Sequence, residues 1–592
     1  MSQVRSWVLV IGWVFGSTAA AETLTFSTYL GGAGTDQLRD ITVDAQGNVY
    51  LAGGTQSSDF PTTAGAYSRA SNGSWDAFVV KLSPQGALLW STYVGGPNYD
   101  RAYAIEVDSS GAILIAGRAG SGFPTTAGVV QPSFVGDLAV NPAYGPQDGF
   151  VAKLSADGAT LLWATYVGND DRSFIRDIDI DASGHVLAVL TDVSRPFPHV
   201  TAGSAIPNLQ GGTDGAVVKL RSDGQQVLWG TYLGGAGDEA GGPSLRVERV
   251  TGSVYVVGNT SSANFPTPNG FDTTLGGGTD AFLAKLSADG ASLLFATYLG
   301  GSAAEGTGTH NVALDPAGNV VVGHWSQSTD LAMTGHRKTA PAGVNSLLWK
   351  FSSAGQLLAS TYVGGSGDDG IQGVATDTQG NVVVSLDGTT SLDLPVTAGA
   401  FQATNAGAPD GALIKLSPDL GELLYATFLG GRGSDGSRST VVDSSDGYFF
   451  AGFSSSDDFP LASPTQSVRK GQDDLVIARF TLSPPGADAG VTDAGSSPGD
   501  GGPGDAGQAV QDAGGPLLQD AGATGAEDAG TSVGGTESPP GERAGAGCGC
   551  GAGGPLALLQ LLWLLAAKGL MTRRPVHSSA GRRGLPHCEC SR

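Results

Sequence analysis

Between residues 24 and 482 the chain repeats one pattern. Short apolar runs, alternating or continuous, are separated by turns that carry glycine. In the first copy Asp40–Asp44 and Asn48–Gly53 flank one turn, and Ala77–Leu82 and Leu88–Tyr93 flank Ser83-Pro84-Gln85-Gly86. Runs of about four to six residues between such turns predict strands, and no stretch here sustains a helical period. The motif Thr-[Tyr/Phe]-[Leu/Val]-Gly begins at Thr28, Thr92, Thr165, Thr231, Thr297, Thr361 and Thr427, at intervals of 64 to 73 residues. A second marker, Asp-x-x-[Val/Leu/Ile]-x-Lys, joins Asp76 to Lys81, Asp148 to Lys153, Asp214 to Lys219, Asp280 to Lys285 and Asp410 to Lys415. Asn345/Lys350 and Asp474/Arg479 are its variants. Four strands repeated seven times predict an all-β chain, a seven-bladed β-propeller of four-stranded antiparallel blades.

The seventh repeat stops before its fourth strand. The missing strand stands at the other end, where Phe26-Ser27-Thr28-Tyr29-Leu30-Gly31-Gly32 matches Trp90-Ser91-Thr92-Tyr93-Val94-Gly95-Gly96 position for position. An N-terminal strand completing the last blade would close the ring and remove its open edges. The Thr-Tyr-Leu-Gly-Gly signature and the Asp-Ala-Phe-Val-x-Lys-Leu strand resemble the bacterial β-propeller repeat family, over about Leu24 to Leu482. That resemblance implies the fold and an extracellular setting, and carries over no catalytic residue.

Composition limits function. Glycine supplies 94 of 592 residues, charged residues 15%, methionine only 3, and the net charge is −24. Such a balance favours turn-rich β structure and argues against a nucleic-acid partner, which needs clustered Lys and Arg. Met1–Ala21 reads as a secretory signal peptide: Arg5, an apolar run over Trp7–Phe15, and a small-residue cleavage site ending at Ala21. The propeller spans 22–482 and holds no cysteine, so it must be stable by packing alone. Residues 483–547 repeat Asp-Ala-Gly with scattered prolines, ten acids and one base, which predicts a disordered linker.

Residues 548–592 open with Cys548 and Cys550, processing or lipidation candidates, followed by an apolar run and Lys568, Arg573 and Arg574. This order resembles the myxobacterial C-terminal sorting signal, although the family usually ends soon after its arginines and 18 residues follow here. The resemblance implies processing near the cysteines and delivery to the cell surface or outer membrane, or release outside the cell. The only membrane contact expected is through this segment.

Two sets of acids recur. Asp76, Asp148, Asp214, Asp280, Asp410 and Asp474 open the third strands and read as scaffold, accepting backbone hydrogen bonds and tying neighbouring blades. After the Gly-Gly pairs come Asp36, Asp100, Glu239, Glu305, Asp369 and Asp435, with Asp171 in the offset third copy. Strand direction places this second set on the face that bears the longest loops, between second and third strands. Two carboxylates ~10 Å apart in water repel by only ~0.4 kcal/mol, so the ring needs no cation. Each acid is read as a turn cap, with calcium or a cationic partner as the alternative. The aromatic series Phe26, Trp90, Trp163, Trp229, Phe295 and Tyr425 is read as packing between blades, broken only at Ala359.

His185, His199, His310, His324 and His336 lack ligand spacing, and no catalytic motif, metal centre or cofactor is expected beyond that calcium. The fifth repeat diverges, with His324, His336, Trp325 and Arg337 in place of the usual pattern: drift, or a local specific site. The expected function is non-catalytic binding or adhesion, of an extracellular glycan or protein, by a monomeric propeller. A polysaccharide lyase or hydrolase and a purely structural envelope component are the alternatives.

Overall fold

A computed structural model describes residues 22–136, 144–171, 173–239, 241–407 and 409–482. The signal, linker and C-terminal readings, with Ala21, Cys548 and Cys550, fall outside these residues. Seven antiparallel sheets follow one another along the chain. Blade 1 is Asp36–Val43, Val49–Thr55, Asp76–Leu82 and Leu88–Val94, in that order from the inside outwards. Blade 7 joins Asp435–Val442, Tyr448–Ser454 and Asp474–Leu482 to Glu22–Leu30, so the first strand of the chain is the last of the ring. Their register pairs Phe26 with Arg479 and Leu30 with Leu475. Blade 5 alone has a split inner strand, Glu305–Gly306 and Val312–Leu314.

Both sequence markers have a packing cause. The strand-three lysine reaches the acid of its own blade's first hairpin: Lys153–Asp108 at 2.6 Å, Lys219–Asp181 at 2.8 Å, Lys350–Asp315 at 2.7 Å and Arg479–Asp443 at 2.6 Å. The threonine of Thr-Tyr-Leu-Gly accepts a backbone N–H from the long connection between strands two and three. Ser68 N–Thr92 Oγ1, Gln131 N–Thr165 Oγ1 and Gln466 N–Thr28 Oγ1 are each 2.9 Å. The tyrosine grips the same connection: the Tyr93 hydroxyl donates to Ser57 O (2.6 Å) and accepts from Phe60 N (3.0 Å). Thus the long connections do not stand free on the loop face. They run down the outer strand and touch the next blade, as Tyr67 N does at Gly158 O (2.9 Å), and so cover an edge that would otherwise be open to pairing.

Packing between blades places the fourth-strand aromatic over the next blade's outer turn. A Cβ on Gly158 would lie 2.5 Å from the Trp90 ring, and one on Gly224 equally close to Trp163; both glycines have positive φ. The broken member of the series is repaired from the other side. Opposite Ala359 the turn carries Leu420 rather than glycine, at φ 57°, fully buried and in the same apolar cluster as Ala359. The leucine fills the space that an aromatic ring fills elsewhere, despite a backbone conformation that costs a non-glycine residue ~1 kcal/mol.

Two outcomes follow from this packing. Deleting Glu22–Gly32 leaves blade 7 with an unpaired edge; the truncated chain should melt lower and form soluble aggregates in light scattering, and unchanged melting would exclude closure by this strand. Leu420→Gly should cost about 1–4 kcal/mol in urea unfolding, a core deletion partly offset by relief of the left-handed backbone. Adding Ala359→Phe should recover part of that loss, so that the double mutant is more stable than the sum of the single changes predicts.

Candidate functional site

The acids that follow the Gly-Gly pairs are not an exposed ring. Six of them are buried at the entry to an inner strand, Asp36, Asp100, Glu305 and Asp435 as its first residue, and each turns its carboxylate back onto its own loop. Asp36 accepts from Gly32 N (2.8 Å), Ser57 Oγ (2.9 Å) and the Thr55 hydroxyl. Asp100 accepts from Gly96 N (2.6 Å) and Gly120 N (3.0 Å). Glu239, Glu305, Asp369 and Asp435 cap Gly235, Gly301, Gly365 and Gly431 in the same way. In the third copy Asn169 is buried at the loop, and Asp171 is half-buried, accepting from the Ser194 hydroxyl.

The strand-three acids cap the loop before their own strand. Asp76 takes Asn72 N (2.8 Å), Asp214 Gln210 N (2.8 Å), Asp280 Gly276 N (2.9 Å), Asp410 Ala406 N (2.7 Å) and Asp474 Lys470 N (2.9 Å). Asp148 takes the Gln131 amide (2.9 Å). The tie between blades expected of these carboxylates is made instead by the backbone one residue earlier, as in Asp100 N–Trp75 O at 2.9 Å.

The two sets meet across the first glycine of each Gly-Gly pair. A Cβ on Gly95 would lie 2.1 Å from Asp76 and 3.2 Å from Asp100, and one on Gly31 would meet both Asp474 and Asp36. Burial pushes Asp100, Asp148 and Glu305 up to about 7 and Asp410 to about 6. These acids secure loops, and the structure gives them no common centre.

The chemistry converges elsewhere, in the central channel. The inner strands of blades 1, 2, 3, 6 and 7 carry a one-residue bulge at the same place, and the bulged residues are Arg39, Tyr103, Arg176, Gln372 and Arg438. A bulge re-aims the strand locally, and here it delivers side chains to the channel. His310, just before the Asn311 of the split strand, has φ 63° and reaches across the ring. Its Nε2 lies 3.1 Å from Tyr103 O, and its Nδ1 lies 3.4 and 3.5 Å from Asp40 and Asp177.

Asp40, Asp177 and His310 are the one grouping of three metal-type ligands among the described residues. Their carboxylates already accept from Ile105 N (2.9 Å), Ser439 Oγ (2.9 Å) and Leu245 N (3.0 Å). A protonated His310 at these distances places a positive charge between the two aspartates. The two aspartates raise the His310 pKa against the effect of burial.

Above this floor, toward the Gly-Gly loops, four guanidinium groups surround one phenol. Arg39, Arg101, Arg118 and Arg176 lie 5.4, 5.6, 5.6 and 5.0 Å from the Tyr103 ring centre. Arg101 also covers Trp75 (5.2 Å), and Arg118 covers Tyr99 (4.6 Å) and Tyr144 (4.2 Å). Arg101 and Arg118 are 5% and 4% exposed, and the described residues offer Arg39, Arg101 and Arg118 no carboxylate. The Nε–H groups of these three are buried without an acceptor. Burial and the adjacent Arg101 lower the Arg39 pKa, and the four cations pull the Tyr103 hydroxyl down to about 7 against the effect of burial.

Sequence reading missed this cluster because its members sit in three repeats and follow no motif. One signal was there: arginine recurs just before Asp40 and its equivalents, at Arg39, Arg176 and Arg438, in a chain poor in basic residues. The divergent fifth repeat does not assemble a second site. His324 is buried, accepts from Trp349 Nε1 (2.7 Å) and is lowered to about 4 by burial, whereas His336 is exposed.

A family model described as "Beta-propeller repeat" matches residues 25–61. No curated protein gives a significant sequence match. Among solved structures the chain is similar to a protein of unknown function from Dyadobacter fermentans, at 11% identity and TM-score 0.37, over 78% of this chain and 100% of that one. It is also similar to puromycin hydrolase, at 13% identity and TM-score 0.36 over 72% of this chain, and spans 53% of that protein's length. A third likeness is to a quinohemoprotein alcohol dehydrogenase from Pseudomonas putida HK5, at 11% identity and TM-score 0.33, over 78% of this chain and 76% of that one. None of these carries an activity over to this chain.

The protonation pattern fixes a pH dependence. Carboxyls raised by burial (Asp100, Asp148, Glu305, Asp410) hold protons in the folded state that the unfolded chain releases near pH 4, so stability falls as pH rises from about 4 to about 7. The contribution of His310, raised above its unfolded value, is likewise lost as pH rises through its folded pKa. Asp108, Asp181, Asp315 and Asp443, lowered in the folded state, contribute stability above about pH 4 that is lost in more acid solution. The melting temperature should therefore peak at about pH 4 and decline on both sides. A profile rising steadily to pH 8 would contradict this set of shifts.

Proposed function

We propose that this propeller is an exported, non-catalytic binding protein of the cell surface, taking an extracellular glycan or protein ligand at the loop-face half of its channel. The observation that carries the reading is the group of buried arginines around Tyr103. Cations and aromatic rings hold and orient a ligand, and the described parts of the long connections lie along the outer edges. The test is saturable binding of the full-length chain to the producing cells' envelope polysaccharides, with calcium present and then chelated. Binding is expected in both conditions, because the Gly-Gly acids are already capped by backbone and hydroxyl donors. Turnover of the polysaccharide would replace this reading with an enzyme.

A structural envelope role has its own observation. Leu89, Leu162, Leu228, Leu294, Leu358 and Leu424, the second residue of six outer strands, are 36–50% exposed around the rim. Partners meeting the ring edge-on would cover them. Polar substitution of several of these leucines should then abolish co-purification with envelope material while leaving binding in the channel intact.

A further inference from the structure

The arginine cluster is chemically unusual for this protein. The chain carries a net charge of −24, yet four guanidinium groups converge on one ring, and the described residues give three of them no carboxylate. Buried like charges are costly unless a counter-charge accompanies them, and buried N–H donors without acceptors add to that cost. The lower half of the channel is balanced by contrast: Arg246 pairs with Asp177 (3.3 Å) and Arg249 with Asp179 (3.4 Å). Among the described residues, Arg39, Arg101 and Arg118 above have no such carboxylate partner.

We infer that the upper channel is the subsite for the acid group of an anionic saccharide, whose carboxylate or sulfate is taken by Arg39, Arg101 and Arg118. This rests on the binding-protein reading and names the chemistry of its ligand. Guanidinium N–H groups suit a planar or tetrahedral oxyanion better than any neutral sugar hydroxyl, and charge-assisted hydrogen bonds are about twice as strong as neutral ones. Trp75 and Tyr144, both half-buried, lie against Arg101 and Arg118 and hold these guanidinium groups in place by cation–π contact. His310 crosses the channel beneath Tyr103, so the ligand enters end-on, as a chain terminus or a branch.

The field at Tyr103 points the same way. Its hydroxyl is pulled down to about 7, so the site already stabilises a negative charge. The charged and titratable groups around it are Arg39 from blade 1, Arg101, Arg118, Tyr99 and Tyr144 from blade 2, and Arg176 from blade 3. A bound oxyanion takes over the role of phenolate, so ligand should push Tyr103 back toward its neutral form.

The experiment is calorimetry of the full-length chain with oligogalacturonate, a sulfated galactan oligomer and a neutral galactan oligomer, with polyglutamate as the peptide control. The acidic saccharides should bind at least about tenfold more tightly than the neutral one, in a salt-sensitive way. Comparing the two acidic probes separates carboxylate from sulfate. Arg101→Gln and Arg118→Gln should each weaken binding about tenfold with an unchanged circular dichroism spectrum. Arg39→Gln, at a half-buried position, serves if either fails to fold. Phenolate absorbance measured near pH 7.5 should fall as the site fills, a change that a merely structural arginine would not produce. Equal affinity for the neutral oligomer, or tighter binding of polyglutamate, would overturn the assignment. Envelope binding that survives all three substitutions would overturn it too, while leaving the binding-protein reading in place.

Discussion

The pairing of Glu22–Leu30 with Asp474–Leu482 is the contact on which the rest of the molecule depends. Six blades are each complete within a local stretch of chain, but a ring exists only when its two ends meet, and this hairpin-like pair completes the last blade so that Asp40 of blade 1 can meet Ser439 of blade 7. Closure fixes the angle between neighbouring blades, and hence the width of the channel and what can meet inside it. Asp40, Tyr103, Asp177 and His310 come from blades 1, 2, 3 and 5, and His310 bonds to a carbonyl 207 residues away. Such contacts have no local substitute, so the channel should be the first feature lost when the ring opens.

The repeat solves two general problems of β structure with very few residues. Outer edges are covered by the chain's own connections, pinned by the Thr and Tyr of the Thr-Tyr-Leu-Gly motif. Inner strands are seated by acids that satisfy the backbone N–H groups of glycine loops, where a side chain would collide with a carboxylate. These acids are so deeply buried that Asp100, Asp148 and Glu305 are pushed up to about 7, although the hydrogen bonds they accept favour the carboxylate. A residue type that suggests an ion site by composition thus works as a loop anchor.

Against that regular background, the candidate site lies on the channel, and three of its residues stand at the inner-strand bulges. Bulged positions on the inner strands impose no demand of their own on packing between blades, so they are free to vary. The bulge turns each into a channel-lining side chain. The result is a cationic, aromatic upper channel over a floor of aspartates bridged by histidine, in a protein that is otherwise strongly acidic.

Much of the architecture was legible in the sequence. Motif spacing predicted seven blades, the truncated last repeat predicted closure by the N-terminal strand, and the aromatic series predicted packing between blades, because each rests on local period or on direct likeness between repeats. The compensation of Ala359 by Leu420 was not legible, since the two residues are 61 positions apart and each departs from the pattern alone. Nor was the burial of the Gly-Gly acids, which composition places in turns and only hydrogen bonding to the neighbouring loops draws inward. The arginine site is the clearest case. Arg39, Arg101, Arg118 and Arg176 belong to four strands, and nothing in their spacing joins them. Strand patterning depends on neighbours along the chain, so sequence alone determined the blades; convergence on an axis depends on how the ring closes, so only the tertiary structure decided which side chains share the channel.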